Sequence, residues 1–203
     1  MYLQKKQILE LIKSDKLHIR PLLDKDQIGE LTIDFRLGYD FLVSIQGREA
    51  FIDTSLNDNE KVKSFESFFH RTRRRPGETF LLHPGQTILG TSLEYIKLPE
   101  NILMALNMRS SYSRLGLSIS TIVQPGYCGC ISIELTNVNK NPINLTVGAR
   151  IFQARLIKLE NNSSYFNTKR KYMCQVRPML SSANKDLDLI KLNNYWKDIN
   201  NVI

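Results

Sequence analysis

The segment from Arg109 to Gly116, RSSYSRLG, places hydroxyl and guanidinium groups at a predicted helix start, and we call it the Ser/Arg segment. Serine is a favourable N-cap and glycine a natural C-terminal stop, so we predict a helix of one to two turns beginning near Ser110. Ser110 and Arg114 would share one face of this helix. Arg109 and Ser111 would flank its N-terminus, where free backbone N–H groups attract anions. The segment fits either a phosphate-binding cradle or an ordinary capped surface helix.

Glu134 belongs to a second polar cluster, within the sequence CISIELTN. Side chains alternate between two faces along a β-strand, so Ile131, Ile133 and Leu135 would form an apolar face. Glu134 would face the opposite way beside Ser132, and the preceding Pro-Gly turn would fold the strand back toward the Ser/Arg segment. A carboxylate held opposite serines and an arginine can act as a general base, whereas one that only faces solvent is inert. The residues alone leave both interpretations open.

The elements around these clusters have mostly the pattern of β-strands. Leu3 to Lys16 predicts an amphipathic N-terminal helix, and the sequences LHIRP and LTIDFRLG predict two strands. Further along the chain, short strand patterns and turn signals alternate at spacings of about 8–12 residues, which is typical of an all-β barrel or sandwich.

We predict one domain that spans residues 1–203. Residues 53–77 are polar and are predicted to form a loop or excursion with a short helix. Residues 160–203 are predicted to form a C-terminal closing segment and tail, weakly helical between Leu187 and Trp196.

The formal net charge of +8 on 203 residues suits a polyanionic partner. The densest basic run is HRTRRRP, from His70 to Pro76, and the Pro-Gly pair at its end predicts a solvated loop. No interleaved aromatic residues form a stacking platform, so a nucleic-acid partner is disfavoured. No apolar run approaches the roughly 20 residues of a membrane span, so no membrane partner is expected.

The cysteines Cys128, Cys130 and Cys174 indicate a reducing compartment, because their number is odd and the N-terminus lacks the pattern of a signal peptide. We therefore predict a cytoplasmic protein. Cys128 and Cys130 would face the same side of a strand, but no second pair completes a zinc site. We expect no zinc and no metal held by the protein itself.

The two polar clusters carry a resemblance to a known family. The sequence RSSYSRLGL followed by QPGYCGCISIELTN resembles the central motifs of the dCTP deaminase family, which is related to the trimeric dUTPases. Further likeness to the family, in the same order, is found in IKSDKLHIRP, IGELTIDFRLGYDFLV, LHPGQTILGTSLEYIKLPENILMALNMRSS, PINLTVGARIFQARL and KYMCQVRPMLS. The resemblance covers most of residues 1–180.

The resemblance implies a mainly β fold: a distorted, jelly-roll-like β-barrel of the dUTPase type with an N-terminal helix and a few short helices. It implies a homotrimer with active sites between subunits. The implied reaction is zinc-independent hydrolytic deamination of dCTP to dUTP and ammonia. Mg²⁺ would arrive with the substrate triphosphate and need no cage of protein carboxylates. Such a site could also bind dUTP or dTTP.

Three residues match the catalytic positions of the resembled family. Glu134 would take a proton from the water that attacks C4 of cytosine, and would pass protons to the departing ammonia. Ser110 and Arg114 would orient this water and polarise the reacting ring.

Further positions match substrate contacts of the family. Arg109 and Ser111 match triphosphate contacts, and the backbone groups of Ser132 and Ile133 would help to read the base edge. C-terminal contacts to the base and the phosphates are implied at Tyr165, Lys171 and Gln175.

Gln124 departs from the family pattern, because many members and the dUTPases have an aspartate before the Pro-Gly turn or its equivalent. That aspartate contacts the deoxyribose and, in dUTPases, serves the water that attacks phosphate. The Gln124 amide can hydrogen-bond a 3′-hydroxyl but cannot act as a general base, so we predict little hydrolysis of dUTP. The preceding hairpin, LSISTIVQPG, is shorter than in typical members, and Thr121 stands where a small residue is usual.

Three alternatives to a dCTP deaminase are open. The short hairpin is compatible with a non-catalytic or regulatory pyrimidine-nucleotide-binding trimer. The second alternative is a related dUTP or dCTP hydrolase or a bifunctional enzyme, and Gln124 argues against it. A nucleic-acid-binding protein that uses the arginine run is the third. The resemblance is compatible both with supplying dUTP for thymidylate synthesis and with depleting dCTP in antiphage defence.

Overall fold

Strands dominate the structure, a computed structural model that describes residues 1–45, 51–54, 65–163, 166, 171–172 and 174–200. This described part contains twelve strands and three α-helices, which confirms the predicted mainly β character. Within the same residues, no helix combines the length and apolar character needed to cross a membrane.

The regular elements are short, and the Ser/Arg segment provides one of the helices. The helices are α1 (Lys5–Lys13), α2 (Ser110–Ser113) and α3 (Leu187–Asn200). The strands are β1 (His18–Arg20), β2 (Ile33–Arg36), β3 (Asp40–Ser44), β4 (Phe69–Arg73), β5 (Thr79–Leu82), β6 (Thr87–Lys97), β7 (Ile102–Met108), β8 (Leu117–Ser118), β9 (Thr121–Val123), β10 (Cys128–Asn137), β11 (Ile143–Thr146) and β12 (Arg150–Lys158). Short 3₁₀ helices lie at Lys25–Gln27, Phe65–Phe68 and Ala183–Lys185.

Two larger sheets hold the two polar clusters of the sequence. One has the order β4-β3-β6-β10-β8, with β1 also paired to β6, and the other has the order β2-β12-β7-β9. A two-stranded sheet joins β5 and β11. Because β10 carries Glu134 and β7 leads directly into α2, each larger sheet positions one of the clusters.

The chain divides into two compact units. The first comprises Met1–Ser44 and Arg71–Met179, and contains the described strands except the first two residues of β4, together with the described residues of the predicted site. The second comprises Ile45–His70 and Leu180–Ile203, and contains α3.

The core of the first unit is one cluster of buried side chains drawn from both larger sheets. Phe35 on β2 stacks on Phe152 of β12, with ring centroids 5.8 Å apart. Ile88 on β6 and Ile133 on β10 are fully buried in the same cluster. Alternate residues of these strands supply this core, so the intervening residues face away from it.

The N-terminal helix is shorter than the predicted span from Leu3 to Lys16, because α1 covers only Lys5–Lys13. Leu3 instead donates its backbone N–H to Leu156 O of β12 at 2.9 Å. At the other end, Asp15 adopts a left-handed backbone conformation with φ +58°, which ends the helix.

The prediction that His70 to Pro76 forms a loop is wrong for its first part, since Phe69–Arg73 is strand β4. The guanidinium of Arg73 lies 4.6 Å from the centre of the Tyr39 ring. Its Nε lies 3.6 Å from Oδ1 of Asp40 on β3. These contacts hold the arginine run beside β3. The predicted short helix of this region is present as the 3₁₀ turn before β4.

Glu94 is a fully buried carboxylate on β6, which the sequence reasoning did not identify. Gln27 Nε2 donates to its Oε1 at 2.9 Å, and the backbone N–H of Arg36 donates to its Oε2 at 3.0 Å. Burial raises the pKa of Glu94, while these hydrogen bonds act in the opposite direction. Glu94 shares its strand face with Ile88 and Ile96, so the two-residue period already placed it in a core position.

We predict that Glu94→Gln lowers the free energy of unfolding by about 1–3 kcal/mol, because one buried N–H donor would face another donor. The Gln27 amide cannot rotate to compensate, since its Oε1 accepts the backbone N–H groups of Leu23 and Asp24 at 3.1 and 3.2 Å. Urea unfolding followed by circular dichroism should show a lower midpoint. Glu100→Gln at an exposed position is the matched control, and equal midpoints for the two variants would contradict the prediction.

Candidate active site

Glu134 is exposed on β10, between the buried side chains of Ile133 and Leu135, as the alternation predicted. The hydroxyl of Thr121 on β9 donates a hydrogen bond to Glu134 Oε2 at 3.1 Å. Within the described residues, no donor reaches the second carboxylate oxygen, Oε1. One oxygen is therefore oriented by the protein, and the other can bind a proton donor such as water.

The edge of β10 beside Glu134 carries no partner strand in the described part of the chain. β10 pairs with β6 along most of its length, but with β8 only at Thr136 and Asn137. The backbone groups around Ser132 and Ile133 that point away from β6 can therefore hydrogen-bond a ligand.

A register shift between Cys130 and Ser132 interrupts the pairing of β10 with β6. The hydroxyl of buried Ser92 accepts the backbone N–H of Ile131 at 2.8 Å. The carbonyl oxygen of Gln175 accepts the N–H of Cys130 at 2.7 Å. Bulges of this kind redirect side chains near functional sites. Here the C-terminal segment binds β10 at the irregularity, two residues before Ser132.

Gly129 allows this close approach of the C-terminal segment. It has φ +146°, and a Cβ atom there would lie 2.7 Å from the Tyr127 hydroxyl and 2.8 Å from the Gln175 carbonyl oxygen. Gln175 is buried, whereas Lys171 is exposed. The third predicted C-terminal contact, Tyr165, lies outside the described residues.

The predicted helix start of the Ser/Arg segment is present, with α2 beginning at Ser110. The segment ends at Gly116, which has φ +88°. The side chains of Ser110, Ser111 and Arg114 are exposed and make no hydrogen bond or ion pair with other described residues. Their polar groups are therefore available to a ligand or to another chain.

Arg109 has protein partners that the sequence reasoning missed. Its Nε lies 3.2 Å from Oδ2 of Asp34 on β2, and its Nη1 donates to the carbonyl oxygen of Arg150 at 3.0 Å. Burial raises the pKa of Asp34, while the charges of Arg109 and Arg150 act to lower it. These contacts fix the direction of the Arg109 side chain at the N-terminus of α2.

The Ser/Arg segment and Glu134 do not meet within one chain. The carbonyl oxygen of Gly116 accepts the N–H of Val138 at 2.8 Å, so the segment is attached just after the end of β10. Glu134 lies four residues before Val138, which corresponds to roughly 13 Å along a strand. In the described part of the chain, no hydrogen bond or ion pair joins Glu134 to Ser110 or Arg114.

Gln124 lies in the turn between β9 and β10 and is exposed. Its backbone carbonyl accepts the N–H of Tyr127 at 3.2 Å, and its side-chain amide makes no hydrogen bond with other described residues. Among the described residues, no group of three or more His, Cys, Asp or Glu side chains is placed to hold a metal ion.

A family model described as dCTP deaminase-like matches residues 2–159 of the chain. The chain belongs to this family. A relative from Dictyoglomus turgidum, named dCTP deaminase, dUMP-forming, is 34% identical over 194 residues, which cover 92% of this chain and 96% of that protein. A relative from Haemophilus influenzae, named dCTP deaminase, is 36% identical over 177 residues, which cover 83% of this chain and 90% of that protein. The resemblance seen in the sequence motifs is thereby confirmed.

A solved structure of 2′-deoxycytidine 5′-triphosphate deaminase from Agrobacterium tumefaciens matches the chain with a TM-score of 0.57 and 22% identity. The match covers 76% of this chain and 47% of that one, so this chain spans about half the length of that deaminase. Together with the abundance of strands, this likeness confirms the predicted fold class of the dCTP deaminase-like family.

We predict that Gly129→Ala displaces the C-terminal segment from β10, because the added Cβ would collide with Gln175. Hydrogen exchange of the Cys130 amide, which donates to Gln175, should accelerate about tenfold, equivalent to about 1.4 kcal/mol of opening free energy. Gly85→Ala is the matched control, because Gly85 also has positive φ but has nothing within 4 Å of its added Cβ. Unchanged protection of the Cys130 amide in Gly129→Ala would contradict this docking.

Proposed function

We propose that the protein catalyses the hydrolytic deamination of dCTP to dUTP and ammonia. One observation carries the proposal: Glu134 stands exposed on the open edge of β10 with one carboxylate oxygen held by Thr121. The same strand belongs to a chain whose relatives are named dCTP deaminases. A carboxylate in this position combines a base for water with adjacent backbone groups that can bind the edge of cytosine.

Glu134 acts as general base and then as general acid in the proposed reaction. It takes a proton from water as the water oxygen bonds to C4 of cytosine. The carboxyl group passes this proton to N3 of the ring, as the N3–C4 double bond becomes a single bond. Glu134 then takes the proton of the new C4 hydroxyl and gives it to the exocyclic amino group. The C–N bond breaks, ammonia leaves, and C4 becomes the carbonyl of uracil. Such proton transfer typically contributes 10²–10⁴-fold to a rate.

The Ser/Arg segment is proposed to complete the site from a second subunit of a homotrimer. The exposed side chains of Ser110 and Arg114 would orient the water and polarise the ring, and Ser111 would contact the triphosphate. The separation of this segment from Glu134 within one chain supports an arrangement between subunits. Arg109, already directed by Asp34, would present its remaining guanidinium hydrogens to phosphate oxygens.

The triphosphate is proposed to bring Mg²⁺ as its counter-ion. The ion would neutralise phosphate charge, and phosphate oxygens and water would supply most of its ligands. Three residues of the C-terminal segment are proposed to contact the bound nucleotide: Tyr165, Lys171 and Gln175. Gln124 is proposed to hydrogen-bond the 3′-hydroxyl of the nucleotide.

We predict that Glu134→Gln reduces the turnover of dCTP by about 10²–10⁴-fold, since an amide cannot accept the proton from water. The variant should keep its stability and its affinity for dCTP, because Glu134 is exposed and lies outside the core. Chromatographic separation of dCTP and dUTP after incubation with Mg²⁺ measures the rate. Glu160→Gln is the matched control at another exposed carboxylate. Full activity of Glu134→Gln would exclude the role of Glu134 as the general base. If the unchanged protein binds dCTP tightly without turnover, it is a regulatory protein and not an enzyme.

A second candidate function is formation of dUMP in the same active site. The relative from Dictyoglomus turgidum carries the words dUMP-forming in its name, and it matches nearly the whole chain. Hydrolysis of the triphosphate needs a second activated water. Gln124 opposes this candidate, because its amide cannot take the proton that an aspartate would accept at that position.

We predict that dUTP and ammonia are the products from dCTP, and that added dUTP stays intact. Phosphorus NMR of the reaction mixture distinguishes dUTP from dUMP with pyrophosphate. Gln124→Asp tests the reason: if the missing carboxylate limits hydrolysis, this variant should form more dUMP than the unchanged chain. Release of pyrophosphate by the unchanged protein would favour the bifunctional enzyme instead.

A further inference from the structure

The sulfur atoms of Cys128 and Cys174 lie 3.5 Å apart, although the two residues are 46 positions apart in sequence. Cys128 begins β10 and Cys174 belongs to the C-terminal segment that precedes Gln175. Both thiols are free, with Cys174 exposed and Cys128 half-buried. A disulfide requires sulfurs about 2.05 Å apart, so a shift of roughly 1.5 Å would bring these two into bonding distance.

Contacts that involve no sulfur atom hold the backbone around the two thiols in place. The carbonyl oxygen of Gln175 accepts the N–H of Cys130, and Gly129 leaves the space that the Gln175 backbone occupies. Cys174 itself adopts φ +49°, a conformation that non-glycine residues keep only where the surroundings impose it. The contact between the two sulfurs is therefore a consequence of how the C-terminal segment docks on β10.

The third cysteine is placed differently, although it lies on the same strand. Within the described residues, no sulfur contact joins Cys130 to either of the other cysteines. Burial, with a further contribution from the charge of Glu94, raises the pKa of Cys130 to about 11. The pKa of the Cys174 thiol is also raised, chiefly by its hydrogen bond with Cys128, so it is distance that separates Cys130 from the other two cysteines. Cys130 is thus a matched internal control.

We propose that Cys128 and Cys174 form a reversible disulfide that fastens the C-terminal segment to the strand that carries Glu134. The oxidant is a peroxide such as hydrogen peroxide. The exposed Cys174 thiolate attacks one peroxide oxygen, the O–O bond breaks, and a sulfenic acid and one water form. The Cys128 thiol then attacks the sulfenic sulfur, the S–O bond breaks, and a second water leaves. Two electrons and two protons pass in total from the thiols to the peroxide.

Fastening at position 174 acts on residues that the proposed function assigns to the nucleotide. Gln175 directly follows the linked cysteine, and Lys171 lies three residues before it. In the reduced protein the Cys130–Gln175 hydrogen bond holds the segment on β10, and the Nε of Arg177 lies 3.5 Å from Oδ2 of Asp40 on β3. In the oxidised protein the covalent link removes the freedom of the segment to leave. The chemical state of the two sulfurs thereby sets the mobility of the segment that is predicted to close over nucleotide.

The disulfide is tested by treating the full-length, fully reduced chain with an equivalent of hydrogen peroxide, followed by peptide mass mapping without reductant. The expected result is a Cys128–Cys174 linked peptide pair with the loss of two hydrogen atoms, restored to free thiols by dithiothreitol. Cys130→Ser should give the same link, whereas Cys128→Ser and Cys174→Ser should give none. Links that involve Cys130, links between chains, or sulfinic acid at Cys174 without a link would each overturn the proposal.

Fastening is tested by hydrogen exchange of the Cys130 amide, which needs no nucleotide and no turnover. We expect this amide to exchange at least several-fold more slowly in the oxidised protein than in the reduced one. Oxidant should leave the exchange rate unchanged in Cys174→Ser. Equal rates in the oxidised and reduced forms of the unchanged chain would show that the link does not hold the segment. Because neither measurement uses dCTP, a failure here is separate from a failure of the proposed deaminase function.

Discussion

The antiparallel pairing of β10 with β6 is the interaction on which the candidate site depends. It buries apolar side chains such as Ile133 on one face of β10 and thereby fixes Glu134 on the other. Near Glu134 no described strand pairs with the opposite edge of β10, so a ligand can bind there. Its one irregularity, next to Cys130, creates the place where the C-terminal segment attaches. A single strand thus combines a core face, a reactive carboxylate and a docking position.

Two carboxylates, Glu94 and Asp34, connect parts of the chain that are far apart in sequence. Glu94 on β6 receives donors from Gln27 and Arg36, and Asp34 on β2 receives the guanidinium of Arg109. Burial raises the pKa of both carboxyl groups, and the hydrogen bonds to Glu94 and the arginine charges beside Asp34 act in the opposite direction. Removing a donor from a buried charge costs far more than the same contact would contribute at the surface. The N-terminus of α2 is therefore positioned by electrostatics as well as by strand pairing.

The sequence predicted those features of the site that depend on near neighbours. The period of two along CISIELTN placed Glu134 opposite the apolar residues, and the serines with Gly116 predicted the short helix at Ser110. The same local reasoning failed for the arginine run, because a Pro-Gly signal describes the end of a segment and not its beginning. Arg73 is part of a strand because β4 pairs with β3, and its guanidinium lies over Tyr39, a residue that no local pattern links to it.

What the sequence by itself determined is the set of chemical groups, the face on which each lies along its own strand or helix, and the family to which their order belongs. The tertiary structure alone decided which groups meet. Thr121 reaches Glu134, Asp34 holds Arg109, and Cys174 touches Cys128, each across a gap in the chain that no periodicity spans. The reason is physical: alternation and capping are set by neighbouring backbone dihedrals, whereas these contacts depend on strand register and on where a bulge lets another segment approach.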